Sequence, residues 1–453
     1  MNSTKSGFWL ILTMVVILSF LLTACGTTAS AAQPSPVPTL KPSAPSAVPS
    51  QTSSVAKPAS QATPSAAANK LMLFSWWTTG NDLSGFNKLI DLYKVENPGV
   101  SVINGAESSV ISSQVSQIQN SDPADVFQFE IGRALVNPLV NTGKVQKLDD
   151  LYTSQQWSQV FPQGLLDILN TQGHYYSVPV DIQRTNLQWY NTNTFQKLGI
   201  LRAPVNFADW LSMASVCQKA KIPALALGDA DHWELTNLFE TVLIGNLGAQ
   251  GYKNLWAGSV SWYDPKVTAA LNIFKEMMSF ANPNHASLTW QQAEQMVIDG
   301  QACTTITGDW VDSYNNSVNF TSAGWAPAPN NNGVYDIAAE TFALPVGAAN
   351  LTNAKNWLIL MGSQAGQMSW NTMKDSNCAR TDCDPKVFDP YVQTAISSWK
   401  KNAIVPSLSQ GAAADQLWLQ AINKILTTLV ANQNMAVAQA NLEAECKNAG
   451  VCK

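Results

Sequence analysis

The chain has 453 residues, of which 46% are hydrophobic and only 13% charged, with a formal charge of −5 at pH 7. Lys5, Lys41 and Lys57 precede residue 70 with no acid among them, so the remainder carries 23 basic against 31 acidic groups. An acidic body without a basic stripe excludes a phosphate-backbone partner such as nucleic acid, and its length suffices for two packed lobes.

Lys5 and the uncharged apolar run Phe8 to Leu22 have the form of a secretory signal, too short and one-sided for a membrane span. The junction Leu22-Thr23-Ala24-Cys25 resembles the bacterial lipobox. It predicts removal of residues 1–24 and a lipid on Cys25, which would anchor the protein to the outer side of the bacterial cell membrane. A plain signal peptide with a chance cysteine is the alternative. Residues 25–69 are almost all Ala, Pro, Ser, Thr and Gln. Such a stretch has too little bulky apolar surface to offset its ordering entropy and predicts a disordered, extended spacer.

Leu71 to Ser75 reads as a buried strand ending at Trp76 and Trp77. Phe86, Leu89, Ile90 and Tyr93 then recur at helical spacing until Asn97-Pro98-Gly99 stops the helix. Val100 to Ile103 is the next strand, completing a βαβ unit that calls for a parallel sheet. Asp125 to Phe129 is a further strand, with Glu130 just past it. A turn at Gln172-Gly173 precedes an extended stretch from Tyr175 to Tyr190.

A second series follows. Asn206 and Asp209 predict a capped helix through Trp210 and Val216. Ile222 to Leu227 reads as a strand, Phe239 to Leu247 as helix, and Thr304 to Thr307 as a strand ending at Gly308-Asp309-Trp310. Asn331-Asn332-Gly333 is a tight turn and Phe342 to Pro345 is extended. Asn353 to Ser363 and Asp415 to Ala431 are apolar-striped helices, with Leu417, Ala421, Ile425 and Leu429 on one face of the latter. Strands and helices alternating in two batches predict two α/β lobes.

Beyond Cys25 there are six cysteines, and outside the cytoplasm an even number invites disulfides. Short spacings suggest Cys378 with Cys383 and Cys446 with Cys452; Cys217 and Cys303 are either paired or two buried thiols. His174, His232 and His285 lack ligand-like spacing, and Asp229 with Asp231 lacks the rest of a calcium loop, so neither metal nor cofactor is expected.

In open α/β sheets ligands bind beyond the carboxyl ends of strands. There the sequence places Trp76 and Trp77, Gln128 and Glu130, and Asp309 and Trp310. Flat apolar rings beside carboxylates and amides suit a sugar, whose C–H faces pack on aromatics while its hydroxyls need fixed donors and acceptors. Core and cap residues give the same pattern.

Phe74-Ser75-Trp76-Trp77, Leu92-Tyr93-Lys94 with Pro98-Gly99-Val100, Ser177-Val178-Pro179-Val180, Leu225-Ala226-Leu227-Gly228, Asn254-Leu255-Trp256, Thr289-Trp290-Gln291-Gln292-Ala293, Gly308-Asp309-Trp310 and Trp325-Ala326-Pro327 run in order along the chain. In that succession the chain resembles the family 1 extracellular solute-binding proteins of carbohydrate ABC importers, in particular the glucose-, galactose- and mannose-binding branch. The resemblance implies a bilobal α/β periplasmic-binding-protein fold, type II and maltose-binding-protein-like, with two lobes joined by a hinge. Lobe 1 would hold residues 70–181 plus about 335–373, and lobe 2 about 182–334 plus about 374–453.

It further implies that Trp76 and Trp290 pack against a sugar, while Gln128, Glu130, Gln183, Glu340, Lys374 and Gln410 bond its hydroxyls. Asp82 is either an acidic contact or the cap of the first helix; Trp290 is otherwise a core ring, and Lys374 a surface lysine. Trp77, Asp309 and Trp310 lie beside the same cleft. Glu130, Gln183 and Gln410 stand where the glucose-binding relatives carry histidine, and Glu340 where they carry Asp, so a different hydroxyl stereochemistry, a disaccharide or a modified monosaccharide is open.

The expected protein is a non-enzymatic monomer that captures a small carbohydrate and hands it to ABC permease subunits. A sugar sensor would use the same cleft. A glycoside hydrolase needs two acids flanking a glycosidic bond, and no sequence feature pairs Glu130, Asp309 and Glu340 in that way.

Overall fold

The computed structural model describes residues 69–78, 80–105, 118 and 123–453. The signal segment, Cys25 and all but the last residue of the expected spacer lie outside the described residues.

Strand β1 (Lys70–Phe74) leads into helix α1 (Gly80–Glu96), which buries the predicted stripe of Phe86, Leu89, Ile90 and Tyr93. β2 (Ser101–Asn104) and β3 (Val126–Glu130) pair with β1 in parallel. The two-residue arms 170–171 and 174–175 form a small hairpin about Gln172-Gly173, where both residues take positive φ. β4 (Ser177–Pro179), β5 (Gln183–Arg184) and β6 (Leu187–Asn191) follow nearly end to end.

Next comes α2 (Phe207–Lys219), capped by the Asn206 side chain accepting the Asp209 N–H at 2.8 Å. The long α3 (Glu234–Trp256) is interrupted at Gly248, whose backbone is non-helical. Then come α4 (Trp290–Ile298), β7 (Thr304–Thr307), α5 (Trp310–Ser317), β8 (Ala323–Pro327), β9 (Val334–Ala338) and β10 (Glu340–Ala343). After α6 (Leu351–Gly362) and α7 (Gln364–Lys374), the chain forms β11 (Ala403–Pro406) and α8 (Gln416–Asn432).

These strands build three sheets, ordered β2-β1-β3-β10-β4, β8-β6-β7 and β11-β9-β5. The first is parallel through β2, β1 and β3, while β10 runs antiparallel between β3 and β4. The third sheet is the crossover. β9 continues into β10 of the first sheet through Ala339 alone, and β5 sits between β4 of the first sheet and β6 of the second.

Two large apolar cores flank this crossover. One gathers Leu71, Phe86, Val178, Trp357 and Trp370 under the first sheet; the other gathers Trp210, Leu238, Phe274, Trp418 and Leu426. A smaller cluster joins Trp189 to Cys378, Cys383 and Tyr391. The result is a bilobal α/β fold. Disulfides link Cys217 to Cys303, Cys378 to Cys383, and Cys446 to Cys452.

Two expectations need correction. Ile222 to Leu227 is not a strand: Leu225 makes single bridges to Ala281 and Thr304, and Pro223 has no N–H to give a ladder. On α8 the expected face holds at Ile425 and Leu429, which are buried, and fails at its start, at Leu417. Asp415 accepts the Trp418 N–H at 3.0 Å and fixes the helix start, so Trp418, Leu419, Ile422, Ile425, Leu426 and Leu429 turn inward while Leu417 is 80% exposed.

Candidate functional site

Side chains alternate along a strand, so Gln128 and Glu130 leave β3 on one face. β10 lies antiparallel beside it and sets Glu340 directly opposite Glu130. Glu340 is the hub. Its Oε1 accepts from Trp77 Nε1 at 2.9 Å, from Gln128 Nε2 at 3.2 Å and from Trp76 Nε1 at 3.3 Å. Its Oε2 accepts from Lys374 Nζ.

Lys374 closes α7 and also donates to Asp181 Oδ2 at 3.1 Å, with Asp82 Oδ1 at 3.9 Å. Trp77 stacks on Trp370 at 3.8 Å between centroids, and the ammonium lies over both rings at 5.7 and 5.2 Å. Asp181 is fixed in turn by Trp370 Nε1 at 3.1 Å and the Glu340 N–H at 3.0 Å.

Several acids gather here around one ammonium, and burial sets their protonation. Burial pushes Glu340 up to about 8; Lys374 pulls it down, while Asp181 and Asp82 push it further up. Burial also raises Glu130 well above the usual carboxylate range, assisted by Glu340 and Asp181. Burial alone would lower Lys374, yet Asp181, Glu340 and Asp82 outweigh it and hold the ammonium above its ordinary value. The cluster therefore combines a cation with carboxyls whose burial favours the protonated form. A protonated carboxyl donates as well as accepts, which matches a hydroxyl group.

The facing wall comes from the second lobe. Trp290 opens α4 behind a capping box, in which Thr289 Oγ1 accepts the Gln292 N–H and Gln292 Oε1 accepts the Thr289 N–H at 2.9 Å. Gly228 lets this turn sit where it does, since a Cβ there would fall 2.0 Å from the Thr289 carbonyl oxygen. Trp290 packs edge-on against Tyr314 at 5.6 Å, and Trp310 against Trp233 at 5.3 Å. Gln410 is presented by a turn that the buried Glu240 clasps: that carboxylate accepts from the Ser409 N–H at 3.0 Å, Ser407 Oγ at 3.0 Å and Ser409 Oγ at 2.7 Å.

These walls enclose a cleft of about 790 Å³. Of the residues singled out in the sequence, Trp76, Asp82, Glu130, Gln183, Trp290, Trp310, Glu340, Lys374 and Gln410 line it. Trp77, Gln128 and Asp309 stand behind the wall. Trp77 and Gln128 are fully buried struts for Glu340, and Asp309 accepts from the Arg184 N–H and the Tyr391 hydroxyl, each at 3.0 Å. Sequence reasoning missed Trp233, Ser313, Tyr314, Gln416 and Asn423 on the cleft and Asp181 beneath it. Spacing on α5 and α8 was the available signal, since these lining residues recur three, four and seven positions apart.

Glu130 and Glu340 are adjacent, but the arrangement does not suit glycoside cleavage. Both project from one sheet face, whereas hydrolysis needs acids on opposite sides of a bond. Glu340 is also engaged by three N–H donors and an ammonium. Among the described residues no group of His, Cys, Asp or Glu is arranged to hold a metal ion, and no helix is long and apolar enough to cross a membrane.

Two α/β lobes, a crossover sheet and one interlobe cleft define a periplasmic-binding-protein architecture of the maltose-binding-protein-like type. Residues 77–368 match the bacterial extracellular solute-binding protein family, and the chain belongs to that family. It is a binding protein and not an enzyme. An ABC transporter extracellular-binding protein of Pyrococcus horikoshii is 28% identical over 394 residues, covering 83% of this chain and 87% of that one. A probable sugar-binding periplasmic protein of Brucella suis is 24% identical, covering 78% and 86%. Among solved structures, a bacterial solute receptor with a preference for β-D-galactopyranose superposes with a TM-score of 0.76 at 18% identity, over 84% of this chain and 99% of that one.

Proposed function

We propose that this chain is an extracytoplasmic lipoprotein, tethered through Cys25, that binds a sugar between its lobes and delivers it to an ABC permease. The cargo class spans a monosaccharide such as glucose, galactose or mannose and short oligosaccharides. One observation carries the reading: indole rings from both lobes, Trp76 and Trp290, line the same cleft as a carboxyl, amide and ammonium cluster. Rings bind the C–H faces and the cluster bonds the hydroxyls. The name of the Brucella suis relative supports the same cargo.

Lobe 1 takes residues 70–181 and about 335–373, lobe 2 the rest of the folded chain, and the β11-β9-β5 sheet is the hinge. Sugar touching both lobes favours the closed form, because each half-site alone offers only part of the contacts. The closed shape then docks on the permease, and a separate ATPase supplies the energy.

The test is a thermal-shift screen of monosaccharides and short oligosaccharides, followed by calorimetry on Trp290→Ala. A ligand that binds only the native state raises the melting temperature by mass action. At least one sugar is expected to stabilise the protein, and the variant should stay folded while losing most of its affinity. No stabilisation by any sugar, or an unchanged affinity in the variant, would overturn the reading. Mass spectrometry of membrane-extracted protein tests the tether, which requires a lipid-modified Cys25 as the first residue.

A further inference from the structure

The cleft is larger than one sugar ring needs. A hexopyranose has about twelve non-hydrogen atoms; even if each took the roughly 30 Å³ of a liquid water, the ring would fill about 360 Å³. The cleft holds about 790 Å³.

The walls show how the remaining space is shaped. On α5 the lining residues Trp310, Ser313, Tyr314 and Ser317 follow the spacing i, i+3, i+4, i+7. That is one helix face across two turns, about 10 Å long at 1.5 Å per residue. On α8, Gln416, Leu419 and Asn423 fall at i, i+3, i+7 and give a second face of about the same length. A pyranose unit advances a chain by roughly one helical pitch, about 5 Å, so each face runs past two units rather than one. Neither face shares a residue with the Glu130, Glu340 and Lys374 cluster, which comes from β3, β10 and α7, and Ser313 on α5 meets the other wall by accepting from Asn81 Nδ2 at 3.2 Å.

Tyr314 is braced for such a contact. Its ring is held edge-on by Trp290, and its hydroxyl donates to Gln295 Oε1 at 3.3 Å. Hydroxyl groups at Ser313 and Ser317 flank it, and amide groups at Gln416 and Asn423 stand on the α8 wall.

We propose that the cargo is an oligosaccharide of at least two pyranose units, with one ring on Trp76 and the acid–lysine cluster and the next along the Tyr314 face of α5. This rests on the sugar-binding reading above and narrows it.

Calorimetry on the full chain decides the matter, with glucose, galactose, mannose and xylose each run against their own di- and trisaccharides. At least one oligomer should bind ten times or more tighter than its constituent monosaccharide. Tyr314→Ala and, independently, Gln416→Ala at the start of α8 should each cut the ratio of oligomer to monosaccharide affinity at least fivefold. A monosaccharide that binds as tightly as every oligomer overturns the proposal, as does a ratio unmoved in both variants, and sugar binding itself survives either result. If no sugar of any length binds, the sugar reading falls and takes the proposal with it.

Discussion

Glu130 and Glu340 face each other across the antiparallel β3–β10 pair, two carboxyls at one strand crossing. Lys374 against Glu340 offsets the like-charge repulsion, and burial shifts both acids toward the protonated form. The chemistry of the cleft and pH-dependent stability therefore involve the same groups.

The protein should be more stable toward acid across the neutral range. Burial raises Glu340 to about 8, Glu240 to about 7 and Asp309 to about 7, from ordinary values of 4.5, 4.5 and 3.8. Between those limits the unfolded chain has released protons that the native state still holds, so unfolding free energy falls as pH rises. Below the ordinary values both states are protonated and the contribution is complete. Lys374 is charged in both states throughout this window and adds no slope. The urea midpoint at pH 5.5 should exceed that at pH 8; a midpoint flat or rising with pH contradicts these shifts.

Gly228→Ala should misplace the Trp290 ring. Its Cβ would meet backbone, the Thr289 carbonyl at 2.0 Å, which cannot swing away as a side-chain tip can. Overpacking of this kind costs about 1–3 kcal/mol. Ligand affinity should drop along with stability, because the displaced turn opens α4. Calorimetry beside urea unfolding checks both, and a variant with native affinity and midpoint refutes the tight fit.

The fold was readable because its signals are local. The α1 stripe and the strand endings at Trp76, Gln128 and Asp309 follow from periodicity and composition alone. What stayed hidden depends on long-range pairing. Trp76 and Trp77 are neighbours in sequence, yet one lines the cleft and the other is buried against Trp370. Only the partner strand and α7 decide which is which. Asp181 gave no signal, since its partner Lys374 lies 193 residues away. Leu417 misled because apolar character fixes a face only once the cap fixes the helix phase. Tyr314 was passed over because α5 is short and mostly polar, so its four-residue spacing from Trp310 stood in no apolar stripe.

Removing the Cys217–Cys303 link should cost the second lobe substantial stability. It spans 86 residues, so the unfolded chain regains a large loop when it is cut. The chain-entropy argument gives roughly 4–5 kcal/mol for a loop of that length, and measured losses run from about 2 to 5. The double substitution Cys217→Ala with Cys303→Ala avoids leaving a reactive thiol. Its urea midpoint should fall well below that of the native chain in non-reducing buffer, and an unchanged midpoint would mean the link closes no costly loop.

Asn81→Ala should shift the balance between open and closed forms. Asn81 Nδ2 on α1 donates to Ser313 Oγ on α5 at 3.2 Å, joining elements of different lobes at the cleft. The contact is exposed, so its loss leaves no unsatisfied buried group and both lobes should fold normally. A hydrogen bond of this kind contributes about 0.5–1.5 kcal/mol, and one that joins the two cleft walls is expected to form only as they close. Affinity for whatever sugar binds should therefore weaken by roughly two- to tenfold. The melting temperature without ligand should barely move, and small-angle scattering should report a larger radius of gyration. Equal affinity and equal radius would show that this bond forms no part of closure.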